Sequence, residues 1–102
     1  MKKILLCCSA GMSTSMLVKK MEQAAESRGM DCKIEAQPVS VFEDAIQEFD
    51  VCLLGPQVRF QLDELRKTAS QYGKQIDAIS PMAYGMMKGE EVLDQAIYLM
   101  SD

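Results

Sequence analysis

The chain contains neither histidine nor tryptophan. Without histidine there is no Ser-His-Asp or Cys-His pair to activate a nucleophile, and no histidine phosphocarrier within the chain. Without tryptophan, and with few loop residues to sandwich a ring, a flavin site is poorly supported. The four cysteines are Cys7, Cys8, Cys32 and Cys52. No C-x-x-C spacing links them, which argues against a zinc site and against dithiol redox chemistry. The expectation is no metal and no cofactor. A basic stripe is missing as well: 15 acidic residues stand against 11 basic ones, a net charge of −4. That disfavours nucleic acid as a partner. No apolar run is long enough to span a bilayer. The run Ile4 to Cys8 follows two lysines, but it stops well short of the roughly 7–15 apolar residues of a secretory leader. The protein is therefore expected in the cytoplasm, where thiols stay reduced and disulfides are rare.

What is present suits one folded domain, residues 1–102. Its 102 residues are 48% apolar, enough for one core and too few for two. Ile4 to Cys8 is apolar throughout, as in a strand buried on both faces of a parallel sheet. Met12, Met16, Leu17, Met21, Ala24 and Ala25 recur at helical spacing, predicting a helix from about Ser13 to Arg28 that stops at Gly29. Its methionines read as core filler. Cys32 to Gln37 alternates apolar and polar residues, a half-exposed strand closed by Pro38. Ser40 and Glu43 have the spacing of a capping box, opening a short helix through about Gln47. Asp50 to Gly55 is a second apolar strand, broken at Gly55-Pro56. Val58, Leu62, Leu65, Ala69 and Tyr72 then mark one amphipathic helix. Gln75 to Ile79 is a more polar strand, and Ser80-Pro81 opens a helical turn through Met82 and Ala83. Val92, Leu93, Ala96, Ile97 and Met100 mark a terminal helix, with Glu90 and Glu91 at its positive end. Cys32 and Cys52 lie inside strands and read as small core residues.

Strands that alternate with helices call for a parallel α/β sheet. Apolar strands belong at its centre and mixed ones at its edges, so the predicted order is 2-1-3-4. This is a three-layer, flavodoxin-like arrangement of four strands. Its crossovers place the first and last helices on one face and the middle ones on the other. Ligands of such sheets bind beyond the carboxyl ends of the strands, where the winding direction reverses. Cys8 to Ser15, Gly55 to Val58 and the segment from Ser80 onward all arrive there.

Leu5-Leu6-Cys7-Cys8-Ser9-Ala10-Gly11-Met12-Ser13-Thr14-Ser15 is the stretch that carries chemistry. Cys8 stands where the first strand gives way to a helix N-terminus, whose unsatisfied amides attract anions. The same setting lowers a thiol pKa. Simple helix capping explains one serine or threonine here, but not three around a glycine. A phosphatase reading needs an arginine six residues after the cysteine, and that position is Thr14. No aspartate reaches the carboxyl ends to protonate a leaving group, since Asp31 and Asp50 fall near the opposite ends. A small cysteine phosphatase or reductase, or a flavodoxin-like module binding a phosphate or flavin without a covalent step, remains an alternative. The chemistry that needs neither arginine nor acid is a cysteine that accepts a phosphoryl group and hands it on, its oxygens held by amides in a phosphatase-like anion loop.

Cys8-Ser9-Ala10-Gly11-Met12-Ser13-Thr14-Ser15 closely resembles the phosphocysteine loop of the IIB proteins of the bacterial sugar phosphotransferase system, in the lactose/cellobiose (diacetylchitobiose) family. Leu53-Leu54-Gly55-Pro56-Gln57-Val58 and Tyr84-Gly85 are similar to later segments of that family, and the likeness spans nearly the whole chain. The resemblance implies a four-stranded parallel sheet and a protein-phosphohistidine–sugar phosphotransferase. A phosphohistidine on a separate IIA protein would donate to Cys8. The phosphocysteine would then phosphorylate a sugar held by the membrane permease IIC, namely cellobiose, lactose or a related β-disaccharide. Ser9, Ala10, Gly11, Met12, Ser13, Thr14 and Ser15 would bind the phosphoryl oxygens, and Gln57 and Tyr84 would face a partner or the sugar. Met12 is a candidate for the partner surface, whereas Met82 is expected in the core. Cys7 departs from the family pattern and opens the prospect of oxidative Cys7–Cys8 chemistry.

Overall fold

The computed structural model describes residues 1–9 and 14–100. Its first strand, β1 (Lys2–Cys8), is exposed only at its two lysines' end; Ile4 to Cys8 are fully buried. Pleating divides that run between two cores. Ile4 and Leu6 face α1 (Ser15–Ser27) and α5 (Gly89–Met100), together with Leu17, Met21, Ala24, Val92, Leu93 and Ala96. Leu5 and Cys7 face the opposite side, with Phe42 and Ile46 of α2 (Phe42–Ile46) and Ala69 of α3 (Leu62–Gln71). Each large apolar side chain buried in this way contributes about 1.5–3 kcal/mol.

Among the described residues, four strands form one sheet in the order β2-β1-β3-β4, where β2 is Cys32–Pro38, β3 is Val51–Leu54 and β4 is Gln75–Ala78. All three pairings are parallel. The two apolar strands are central and the two mixed ones are edges, as their composition predicts. The first and last helices share one face and the middle helices the other. At the carboxyl end the register sets Cys8 opposite Pro38 and Cys7 opposite Leu54. Cys8 thus comes abreast of the chain leaving β3, where the Gly55 amide donates to the Cys7 carbonyl at 2.8 Å.

Four local expectations change. Met16 is 55% exposed, because the buried stripe of α1 runs through Leu17, Met21, Ala24 and Ala25 and position 16 falls off it. The Ser40 capping box does not form: a 3-10 turn over Val39–Val41 precedes α2, whose cap is Val41 with no side-chain bond. Glu43 instead accepts from the Tyr72 hydroxyl at 3.4 Å. The helix expected from Val58 to Tyr72 is two pieces, a 3-10 segment Pro56–Gln61 with non-helical torsions at Val58, then α3. Met82, on the short helix α4 (Pro81–Gly85), is 67% exposed and not a core residue.

One close packing contact fixes the α1 and α5 layer. A Cβ on Gly89 would stand 2.5 Å from the Lys20 carbonyl carbon. The first turn of α5 therefore rests directly on the α1 backbone, which no larger residue permits without a shift. The Arg28 guanidinium at the end of α1 donates to Asp94 of α5 at 2.6 Å, and that bond raises the Arg28 pKa further.

Candidate active site

Cys8 and Thr14 define the centre of the site. The alternation of β1 turns Cys8 to the face opposite Cys7, toward the N-terminal end of α1. There its Sγ lies 3.7 Å from Thr14 Oγ1. Both residues are fully buried, and Thr14 is a buried polar residue in a core that is otherwise apolar among the described residues. Thr14 occupies the cap position of α1 yet makes no side-chain capping bond. Its hydroxyl points to the sulfur instead, which argues against helix capping as the reason for a threonine here. A hydroxyl in contact with a sulfur at a helix start is able to donate to a thiolate and favour that charged form. Ser9 and Ser15 flank the pair and are exposed. Ala10, Gly11, Met12 and Ser13, expected to hold phosphoryl oxygens, lie outside the described residues.

The second wall comes from the segment after β3. A Cβ on Gly55 would stand 2.7 Å from Gln57 Oε1, 3.4 Å from Cys8 Cβ and 3.5 Å from the Cys7 carbonyl. Glycine here lets the chain pass close to the nucleophile's side chain. The sequence pattern marks Gly55 as a strand breaker arriving at the switch point; its role as a spacer beside Cys8 depends on sheet register. Gln57 Nε2 donates to Tyr84 Oη at 3.2 Å. The two residues expected beside the loop are thus joined to each other, with Gln57 on the Cys8 side. Ser80, absent from the expected site residues, caps α4 by accepting from the Ala83 amide at 3.1 Å and so sets the position of Tyr84.

The other cysteines are structural. Cys52 is fully buried, and burial, followed by contact with the Cys7 thiol, holds its pKa well above the ordinary thiol range. Cys32 is half-buried, and burial raises its pKa as well. Cys7 packs among Leu5, Cys52, Leu54 and Phe42. The pleat sends it away from Cys8, so the backbone sets the two sulfurs apart and does not favour the oxidative pairing considered from sequence. Asp50 accepts from the Lys3 amide at 2.9 Å, which places it at the amino end of the sheet, away from Cys8. Among the described residues, no three metal-ligating side chains cluster.

These features define a doubly wound α/β domain with a buried thiol at the switch point between its two central strands. The family model described as "PTS system, Lactose/Cellobiose specific IIB subunit" matches residues 3–95. The chain is 46% identical over 100 residues to the oligo-beta-mannoside-specific EIIB component of Bacillus subtilis (strain 168), covering 98% of this chain and 97% of that one. It is 43% identical over 105 residues to the galactose-specific EIIB component of Lactococcus lactis subsp. cremoris (strain MG1363), with coverage of 98% and 97%. The solution structure of a cellobiose-specific phosphotransferase IIB component from Borrelia burgdorferi is 41% identical, with a TM-score of 0.81 over 97% of this chain and 91% of that one. The lactose-specific IIB domain from Streptococcus pneumoniae shares the fold, with a TM-score of 0.88 at 20% identity over 98% of both chains. The chain belongs to the lactose/cellobiose-specific IIB family of the phosphotransferase system, and it is accordingly a phosphotransferase of the kind that passes phosphoryl groups to sugars. Among the described residues, no helix is long and apolar enough to cross a membrane.

Proposed function

We propose that Cys8 is the phosphoryl carrier of a single cytoplasmic domain spanning residues 1–102. The observation that carries this reading is the Cys8 Sγ to Thr14 Oγ1 contact of 3.7 Å at the carboxyl end of the central strand. In the first step the Cys8 thiolate attacks the phosphorus of a phosphohistidine on IIA. An S–P bond forms as the N–P bond breaks, and the imidazole keeps the electron pair and takes up a proton. In the second step a hydroxyl of the sugar bound by IIC attacks the same phosphorus. An O–P bond forms, the S–P bond breaks, the hydroxyl proton leaves, and the thiolate returns. Thr14 Oγ1, with the amides and hydroxyls of Ser9 to Ser15, serves as donor to the developing charge. The sugar is a β-linked disaccharide, in keeping with relatives named for oligo-beta-mannoside and cellobiose.

Thr14, standing where a phosphatase loop carries arginine, supports a carrier over a hydrolase. Met82 and Met86, 67% and 65% exposed, stand two residues either side of Tyr84 in the chain. Methionine repacks readily, which suits a face that must meet IIA and IIC in turn.

The test is incubation with phosphorylated IIA. The expected product carries one phosphoryl group that resists hydroxylamine, is released by iodine, is absent from Cys8→Ser and is retained in Cys7→Ser. A label that survives in Cys8→Ser overturns the assignment, and steady release of phosphate without sugar favours the hydrolase.

A further inference from the structure

Gln57 lies beside Gly55, whose Cβ position is also close to Cys8, and its two amide ends do different things. Oε1 lies 2.7 Å and Cys8 Cβ 3.4 Å from the Cβ position of Gly55, so both side chains border that one position. Nε2 donates to Tyr84 Oη at 3.2 Å. Tyr84 is partly buried and its ring packs against the α1 and α5 core. A carboxamide has a donor end and an acceptor end, and a phenol both donates and accepts. The pair therefore has two hydrogen-bonded arrangements. In the one observed, Nε2 donates to Oη and the carbonyl is turned toward Gly55, which borders Cys8. In the other, Oη donates to Oε1 and the NH₂ group is turned to that side.

A carbonyl has no proton to donate. It is the wrong end for a dianion. A phosphoryl group on sulfur calls for N–H donors, and charge-assisted bonds of that kind are about twice as strong as neutral ones. Both arrangements keep the Gln57–Tyr84 bond, so the exchange leaves neither side chain unsatisfied. We propose that Gln57 turns its carboxamide when Cys8 is phosphorylated and donates from Nε2 to a phosphoryl oxygen, with Tyr84 as the positioning residue that changes from acceptor to donor. This rests on Cys8 being the phosphocysteine. No covalent bond changes in the turn, and the phenol proton stays on Tyr84.

The experiment uses the full chain, labelled with ¹⁵N and phosphorylated by phospho-IIA. The Gln57 side-chain NH₂ resonances are expected to move on phosphorylation, and to move less in Tyr84→Phe, which keeps the ring and its packing. Gln57→Glu keeps the shape but sets a carboxylate toward the phosphoryl group, and its labelling rate is expected to fall by about tenfold or more. A Gln57 resonance that stays still while Cys8 carries the label overturns the inference, and so does a Gln57→Glu variant labelled at the wild-type rate. Wild-type protein that takes no label on Cys8 removes the phosphocysteine reading itself, a result distinguishable from either of these.

Discussion

Cys8 Sγ and Thr14 Oγ1 lie 3.7 Å apart across six residues of chain, and both side chains are closed off from solvent. Thr14 stands where a phosphatase loop carries arginine. A hydroxyl there can favour a thiolate without adding positive charge. Thr14→Val keeps the β-branched shape and removes the donor. The loss of a hydrogen bond to a charged group is worth about 1.5–3 kcal/mol. The alkylation of Cys8 in Thr14→Val is therefore expected to need a higher pH, and the rate of phosphoryl acceptance to fall by about tenfold or more. Thr14→Ser should restore most of both. An unchanged alkylation profile in Thr14→Val would remove the hydroxyl from the mechanism.

Gly55→Ala separates folding from function. Gly55 has φ −63°, a value any residue adopts. Its added methyl would meet Gln57 Oε1 at 2.7 Å, the far end of a flexible side chain, and Cys8 Cβ at 3.4 Å. The glutamine can swing away, and the lost backbone freedom of the unfolded chain returns about 0.4–1 kcal/mol. The expected outcome is a thermal midpoint within a few degrees of wild type together with slower phosphoryl transfer. A large stability loss at normal activity would contradict this.

Gly89→Ala should do the reverse. Its methyl would meet the α1 backbone at Lys20, which cannot swing aside. Overpacking of this kind costs about 1–3 kcal/mol. Denaturant unfolding should show that loss, while phosphoryl transfer per folded molecule stays at the wild-type level, because the contact lies between α1 and α5 and away from Cys8.

The buried Cys52 thiol makes stability depend on alkaline pH. Desolvation, then its contact with Cys7, raises its folded pKa well above the unfolded value. Below an unfolded thiol pKa of about 8.5 both states hold the proton and Cys52 adds no slope. Above it the unfolded chain releases the proton and the folded chain keeps it. Unfolding free energy then falls by about 1.36 kcal/mol per pH unit from this group, until the folded pKa is reached. Chemical denaturation from pH 7 to 10 should show a shallower alkaline decline in Cys52→Ala than in wild type. The slope is the observable, since the cavity left by the alanine lowers stability at every pH. Equal slopes would place the alkaline sensitivity elsewhere.

Much of this was legible in the residues. Ile4 to Cys8 and Val51 to Leu54 are apolar without interruption, which only a strand covered on both faces tolerates, and that settles the centre of the sheet. Cys32 to Gln37 alternates and belongs at an edge. The strand order then places Cys8 at the switch point. The failures are equally specific. Ser40 and Glu43 have the spacing of a capping box, but Tyr72 engages Glu43 from another helix. Val58 and Leu62 fit one helical stripe, yet the Gly55-Pro56 exit forces a 3-10 segment between them.

The sequence by itself determined the sheet order, the two helical layers and the position of Cys8, because those follow from hydrophobic periodicity and from where small polar residues interrupt it. Tertiary structure alone decided how the side chains around Cys8 are joined. Thr14 bonds to Cys8 and not to its own helix, Gln57 reaches past a bare Gly55, and Tyr84 anchors the glutamine from α4. The Gln57–Tyr84 bond joins residues 27 apart in the chain, and the approach of Gln57 depends on the missing Cβ of Gly55. The approach of Gly55 to Cys8 follows from the register of β1 against β3, which no local pattern encodes.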